Sequence, residues 1–169
     1  MTRKAVPLDS ETKALESPED HKDELRLWLR LLTCTNLIDR EIRKRLSEEF
    51  STTLPRFDLF AQLERAPDGM TLSDLSKRMM VTNGNVTGLV ERLVESGHLE
   101  RFSLSNDRRV QIVRLTAKGR GSFSRMAKAH ENWVAELFAQ LSARDIKDLL
   151  RTLGRLKESV RAARKGSGP

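Results

Sequence analysis

The chain has 169 residues, of which 38% are hydrophobic and 33% charged, with a formal net charge of +7 and a sequence pI of about 10.0. This composition excludes a disordered chain and suits one domain with helical extensions. A lone cysteine, Cys34, excludes an intrachain disulfide, and no apolar run is long enough to span a bilayer.

Residues 1–20 are polar, carry Pro7 and Pro18, and lack an apolar leader core, so they read as a flexible N-terminal arm of a cytoplasmic protein. A first long helix is expected from about Pro18 to Phe50. Leu25, Trp28, Leu29, Leu32, Leu37, Ile42 and Leu46 form its apolar stripe. Pro55 fits the first turn of a second helix with Phe57, Leu59, Phe60 and Leu63, which stops near Pro67-Asp68-Gly69. Thr71 and Asp74 have capping-box spacing, and a short helix should follow with Leu72, Leu75 and Met79 inward.

After Thr82-Asn83-Gly84-Asn85, Val86, Leu89, Val90 and Leu93 recur at the spacing of one buried helical face, and Gly97 is a natural stop. The period then changes. Leu99 to Leu104 and Val110 to Leu115 are β-compatible, with a polar turn, Ser105 to Arg109, between them. Thr116 caps a fifth helix containing Phe123, Met126, His130 and Val134. Ser142 and Asp145 open a last helix with Ile146, Leu149, Leu150, Leu153, Leu156 and Val160.

The fold class is therefore mainly α with a small β-hairpin: a winged helix-turn-helix over 55–116, embedded in a helical dimerisation frame formed by 21–54 and 117–163. Residues 164–169 read as a flexible tail. The outer helices carry more apolar positions than so thin a core can cover, which points to a second copy of the chain.

The segments Leu72 to Arg78, Asn83 to Leu93, Gly97 to Arg101, Asp107-Arg108-Arg109 and Leu115 to Arg120, in this order and spacing, resemble the MarR family of bacterial regulators. The resemblance covers the middle of the chain. It implies a homodimer with both chain ends in the interface, a recognition helix in the major groove, a wing in the minor groove, and an effector pocket between the two regions. It also implies repression as the ordinary mode of action. The stretch Met80 to Val90 further resembles members that control aromatic-acid catabolism, some of which respond to hydroxycinnamoyl-CoA thioesters.

On this reading double-stranded DNA with a palindromic operator is the partner, contacted by Thr82, Asn83, Asn85, Thr87, Gly88 and Arg92 of the recognition segment and by Asp107, Arg108 and Arg109 of the wing. Asn and Thr can read base edges, and Arg92 lies far enough along the helix to meet phosphate instead. An arginine suits a narrow minor groove, and Arg109 matches the inserted one in the family. An effector, a small aromatic carboxylate or aryl-CoA thioester, would draw on Trp28, Cys34, Phe57, Phe60, Met126 and His130 as walls. Arg30, Arg40 or Arg56 would hold its anion.

Two alternatives stand beside this. Cys34 admits redox sensing, although the chain contains no tyrosine to activate it and the cysteine is expected to be buried. A winged helix can also serve protein contacts alone. No enzyme motif is present, His21, His98 and His130 are too scattered to suggest a metal site, and no cofactor is implied.

Overall fold

The structure is a computed structural model that describes residues 23–80, 82–104 and 107–166, with the side chains of Asn83, Leu104, residues 107–110 and residues 165–166 left out. The expected arm at 1–20 thus lies outside the described residues. In chain order the elements are α1 (Asp23–Phe50), α2 (Leu54–Glu64), β1 (Met70–Thr71), α3 (Leu72–Met79), α4 (Asn83–Glu95), β2 (Leu99–Leu104), β3 (Asp107–Leu115), α5 (Ala117–Leu137) and α6 (Ala143–Gly166). By internal contacts the chain divides into two units, Met1–His130 and Glu131–Pro169.

The first unit holds a single core. Leu59, Phe60 and Leu63 of α2 are buried together with Leu75 of α3, Val86, Leu89, Val90 and Leu93 of α4, and Leu99, Val113 and Leu115 of the sheet. Each such side chain contributes about 1.5–3 kcal/mol of hydrophobic stabilisation. The recognition-helix spacing read from the sequence is thus the buried face of α4. The sheet has the order β1-β3-β2, antiparallel throughout. Its short edge strand β1, with Met70 opposite Val113, was not expected, because two residues carry no alternation to detect.

Local signals explain the boundaries. Thr71 Oγ1 accepts from the Asp74 N–H at 3.0 Å and donates to Asp74 Oδ2 at 2.8 Å. At the end of α4, Gly97 takes a φ of 71°. The Gly97 N–H donates to the Val94 carbonyl and the His98 N–H to the Leu93 carbonyl, each at 2.9 Å. That is the paired closure of a Schellman motif, and it needs a residue tolerant of the left-handed region. Thr116 Oγ1 accepts from the Gly119 N–H at 3.0 Å to start α5.

Several expectations need correction. Of the α1 stripe only Ile42 and Leu46 are buried, whereas Leu25, Trp28 and Leu37 are exposed: a shared apolar face does not by itself say what covers it. The polar turn expected at 105–109 is shorter: Asp107, Arg108 and Arg109 already belong to β3. The last helix runs on to Gly166, past the expected start of a flexible tail at Arg164, and residues 167–169 lie outside the described residues.

The second unit contains the end of α5 and α6. Its turn is closed by a second capping box, in which the Ser142 N–H and Oγ donate to Asp145 Oδ2 and the Asp145 N–H donates to Ser142 Oγ. Between the helices runs an apolar groove of about 450 Å3 lined by Val134, Phe138, Leu141, Ile146, Leu149 and Leu153.

Gly119 is fixed by packing. A Cβ there would overlap the His98 carbonyl oxygen and touch Leu115. Gly119→Ala is expected to lower the melting temperature by roughly 3–10 °C, following an overpacking cost of about 1–3 kcal/mol. Thermal denaturation followed by circular dichroism checks this, and an unchanged midpoint contradicts it.

Candidate nucleic-acid interface

The outer face of α4 is built from residues that the core does not need. With Val86, Leu89, Val90 and Leu93 inward, Gly84, Asn85, Glu91 and Arg92 are exposed, and Thr87 and Gly88 are half-buried. Thr82 is the N-cap, yet its side chain makes no capping hydrogen bond, and the first turn carries no acidic residue. The first backbone N–H groups and the positive end of the helix dipole are therefore left for an anion to approach. Asn83 starts the helix, and its side chain lies outside the described residues.

Neither glycine on this face is required by packing: a Cβ at Gly84 or Gly88 would meet nothing within 4 Å. Both weaken the helix, by about 1 kcal/mol each relative to alanine. Their spacing of four residues leaves a strip of bare backbone along the outer surface, which permits close approach of an external backbone. Just before α4, Met80 ends α3 in the left-handed region with a φ of 55° and is 93% exposed.

The wing is braced along its length. Arg114 Nε donates to Glu100 Oε1 at 2.6 Å across the strands. The same guanidinium lies 5.0 Å from the centroid of the Phe102 ring, and Gln111 Nε2 donates to Ser103 Oγ at 2.7 Å. The register then steps from Ser103 opposite Gln111 to Leu104 opposite Asp107. Arg108, Arg109 and Val110 therefore fall in an irregularity of β3, opposite that step. A bulge of this kind bends a strand and re-aims its side chains. The side chains of Asp107, Arg108 and Arg109 lie outside the described residues.

The expected effector residues separate into groups. Trp28, Arg30, Cys34 and Arg40 are exposed on α1. For Cys34 this corrects the expectation of burial: periodicity placed it on α1 but does not say whether anything covers that position. Phe57 is buried beside Phe123 and His130, with ring centroids 5.5 and 4.8 Å away. Desolvation pushes the His130 pKa down against the pull of Asp58, and pushes the Asp58 carboxyl up against the pull of Arg43 and His130.

Arg56, Phe60 and Met126 do come together. They line a cavity of about 260 Å3 with His98 and Arg125, two residues that sequence reasoning missed. The Arg56 Nε is sealed from solvent without a hydrogen-bond partner. An unsatisfied buried donor costs about 1–3 kcal/mol. Only the cationic character of Arg56 was visible in the sequence; the convergence of α2, α5 and the start of β2 was not.

A sequence model of the MarR family matches residues 52–110, the span from just before α2 into β3. A solved MarR family transcriptional regulator from Silicibacter pomeroyi is 33% identical, with a TM-score of 0.72, covering 85% of this chain and 99% of that one. The chain belongs to the MarR family. Transcriptional activatory protein BadR from Rhodopseudomonas palustris is 28% identical over 153 residues, 88% of this chain and 87% of that protein. A mutant MarR from E. coli complexed with operator DNA is 26% identical, with a TM-score of 0.68 over 82% of this chain and 99% of that one. This MarR-family chain is thus a transcriptional regulator and not an enzyme. None of its described helices is long and apolar enough to cross a membrane.

Gly88 is a position where stability and operator binding can be tested apart, because a Cβ there would meet nothing. Gly88→Ala is expected to raise the melting temperature by roughly 2–4 °C, since helix propensity gains about 1 kcal/mol, and to weaken operator binding several-fold. Affinity equal to wild type in the stabilised variant would show that nothing approaches the helix at Gly88.

Proposed function

We propose that this chain is a homodimeric, effector-responsive regulator that reads a roughly palindromic operator through two copies of α4 and β3. It acts as a repressor, released by a small aromatic acid or its CoA thioester. The observation that carries the reading is the outer face of α4: polar or bare positions at Gly84, Asn85, Thr87, Gly88 and Arg92, on a helix whose buried side chains all lie on its inner face.

The helical regions 21–54 and 117–163 supply the dimer in this reading. Leu25, Leu27, Trp28 and Leu37 on α1 are exposed, as are Ile146, Leu149, Leu150, Leu153, Leu156 and Val160 on α6. Burying one such side chain gains about 1.5–3 kcal/mol, so leaving ten in water favours association. A two-fold dimer presents two recognition helices, which is why the operator should have two half-sites about one helical turn apart. Light scattering on the eluting protein should give twice the chain mass, and a stable monomer at micromolar concentration would remove the dimer.

Thr82, Asn83, Asn85, Thr87, Gly88 and Arg92 are assigned to the major groove and its flanking phosphates, and Asp107, Arg108 and Arg109 to the minor groove. Arg109→Ala should weaken operator binding several-fold or more, with the melting temperature unchanged, in fluorescence anisotropy on the intergenic DNA beside the gene. Undiminished affinity at physiological salt would contradict the wing assignment. Substitutions of Asn85 and Thr87 should change sequence preference, whereas Arg92→Ala should weaken all sequences alike and reduce the salt slope by about one.

Repression follows the family resemblance. BadR, an activatory protein, shows that the opposite sign occurs in a similar chain. The exposure of Cys34 favours one further reading, regulation by thiol oxidation. Peroxide treatment that abolishes operator binding in the wild type but not in Cys34→Ser would establish it, and equal binding excludes it.

A further inference from the structure

We propose that Met80, in the turn between α3 and α4, is an operator contact. Its thioether packs on an apolar patch of the DNA, a thymine methyl or a deoxyribose face, with Lys77 and Arg78 on the phosphates beside it. The inference rests on the operator reading above and extends it to residues outside the recognition helix and the wing.

The fold gives position 80 no reason to hold a methionine. Its φ is 55°, in the left-handed region that strains an L side chain and that glycine enters freely. The turn is closed by backbone groups: the Met80 N–H donates to the carbonyls of Ser76 and Lys77 at the end of α3. That closure asks for a left-handed residue and not for a thioether. The side chain adds nothing to the core either. Met80 is 93% exposed, the highest value among the exposed large apolar residues described, with Leu150 next at 68%. A strained backbone that carries a bare apolar side chain is intelligible when something outside the chain covers it.

The charges around it point to the occupant. Lys77 and Arg78 stand in the last turn of α3 and are exposed. Among the described residues neither has a carboxylate partner. Elsewhere Arg43, Arg45, Arg114, Arg151 and Arg161 lie 2.6–2.9 Å from a carboxylate oxygen. The acid of the same helix, Asp74, is engaged at the other end, where it accepts from the Thr71 hydroxyl at 2.8 Å. Beyond Met80, Thr82 and Asn85 are exposed at the start of α4. An apolar side chain thus stands between unpaired cations and a polar helix start. A DNA strand offers the matching sequence of groups: phosphates at regular intervals, deoxyribose between them, and thymine methyls in the adjoining major groove. An apolar protein partner would cover Met80 but leave the cations unanswered. The unbranched, polarizable thioether suits so irregular a surface.

The test compares the full-length wild type with Met80→Gly, Met80→Leu and Met80→Gln. Binding is followed by fluorescence anisotropy on the intergenic duplex beside the gene, prepared with thymidine and again with deoxyuridine, which lacks the methyl group. Melting temperature and light-scattering mass are measured on the same samples. Met80→Gly relieves the left-handed strain, so its melting temperature should rise by roughly 2–4 °C while its affinity for the thymidine duplex falls several-fold. Met80→Leu should bind as the wild type does, and Met80→Gln as weakly as Met80→Gly, because the contact is apolar. An effect of Met80→Gly that disappears on the deoxyuridine duplex assigns the patch to a thymine methyl. An effect equal on both duplexes assigns it to a deoxyribose face. Lys77→Gln and Arg78→Gln should each reduce the salt slope by about one. Wild-type affinity in Met80→Gly, or a melting temperature that falls, overturns the contact. Loss of the dimer in Met80→Gly would assign the side chain to a second copy and overturn it too. If the wild type prefers the duplex to random DNA and Met80→Gly does so equally, only the contact is removed. If the wild type shows no such preference, the operator reading is removed and the contact with it.

Discussion

The fold turns on the junction at Gly97 and His98. One residue there closes the recognition helix, and the next begins the wing and receives the cap of α5. The His98 amide satisfies the Leu93 carbonyl, the His98 carbonyl accepts the backbone N–H of Thr116, and the Thr116 hydroxyl donates chiefly to the Gly97 carbonyl at 2.7 Å. Gly119 must pass so close to that carbonyl that no side chain fits. Helix end, strand start and helix start thus share the backbone groups of one residue. Their relative orientation is set by hydrogen-bond geometry at least as much as by side-chain packing.

That constraint gives the DNA-binding lobe its rigidity. The wing is held to α4 at its root and braced along its length by the Glu100–Arg114 pair, the Arg114–Phe102 contact and the Gln111–Ser103 bond. Each exposed ion pair stabilises little by itself, but together they fix the direction in which the far end of the hairpin leaves the lobe. The proposed reading of two grooves would need that fixed direction, because the helix and the wing would have to reach their grooves at the same time.

Much of this was legible in the sequence wherever the signal is local. The Val86, Leu89, Val90, Leu93 period, the Thr71–Asp74 and Ser142–Asp145 boxes and the Gly97 stop each depend on residues within one or two turns, and each is present. The misreadings share a different cause. β1 exists only because β3 lies beside it. The expected turn at 105–109 shortened because a register step places Arg108 and Arg109 in the strand. Cys34 and the apolar stripe of α1 were read as buried because periodicity reports which residues share a face, not what covers it. His98 and Arg125 were invisible as site residues, since 27 positions separate them in the chain and only the fold places both against Arg56.

The recognition helix itself shows how stability and reading are divided. Its outer face is poor helix sequence: two glycines, an asparagine and a threonine, with an N-cap that makes no side-chain bond. In isolation 13 residues of this kind would not hold a helix, because nucleation is costly and the propensities are unfavourable. The helix exists because its inner face is sealed in the core by four apolar side chains and its last turn is closed at Gly97. Packing therefore supplies the structure, and it requires neither Gly84 nor Gly88 on the outer face. That freedom is what lets one scaffold carry different recognition surfaces, and it is why a residue such as Gly88 that costs stability is intelligible only by what approaches it from outside.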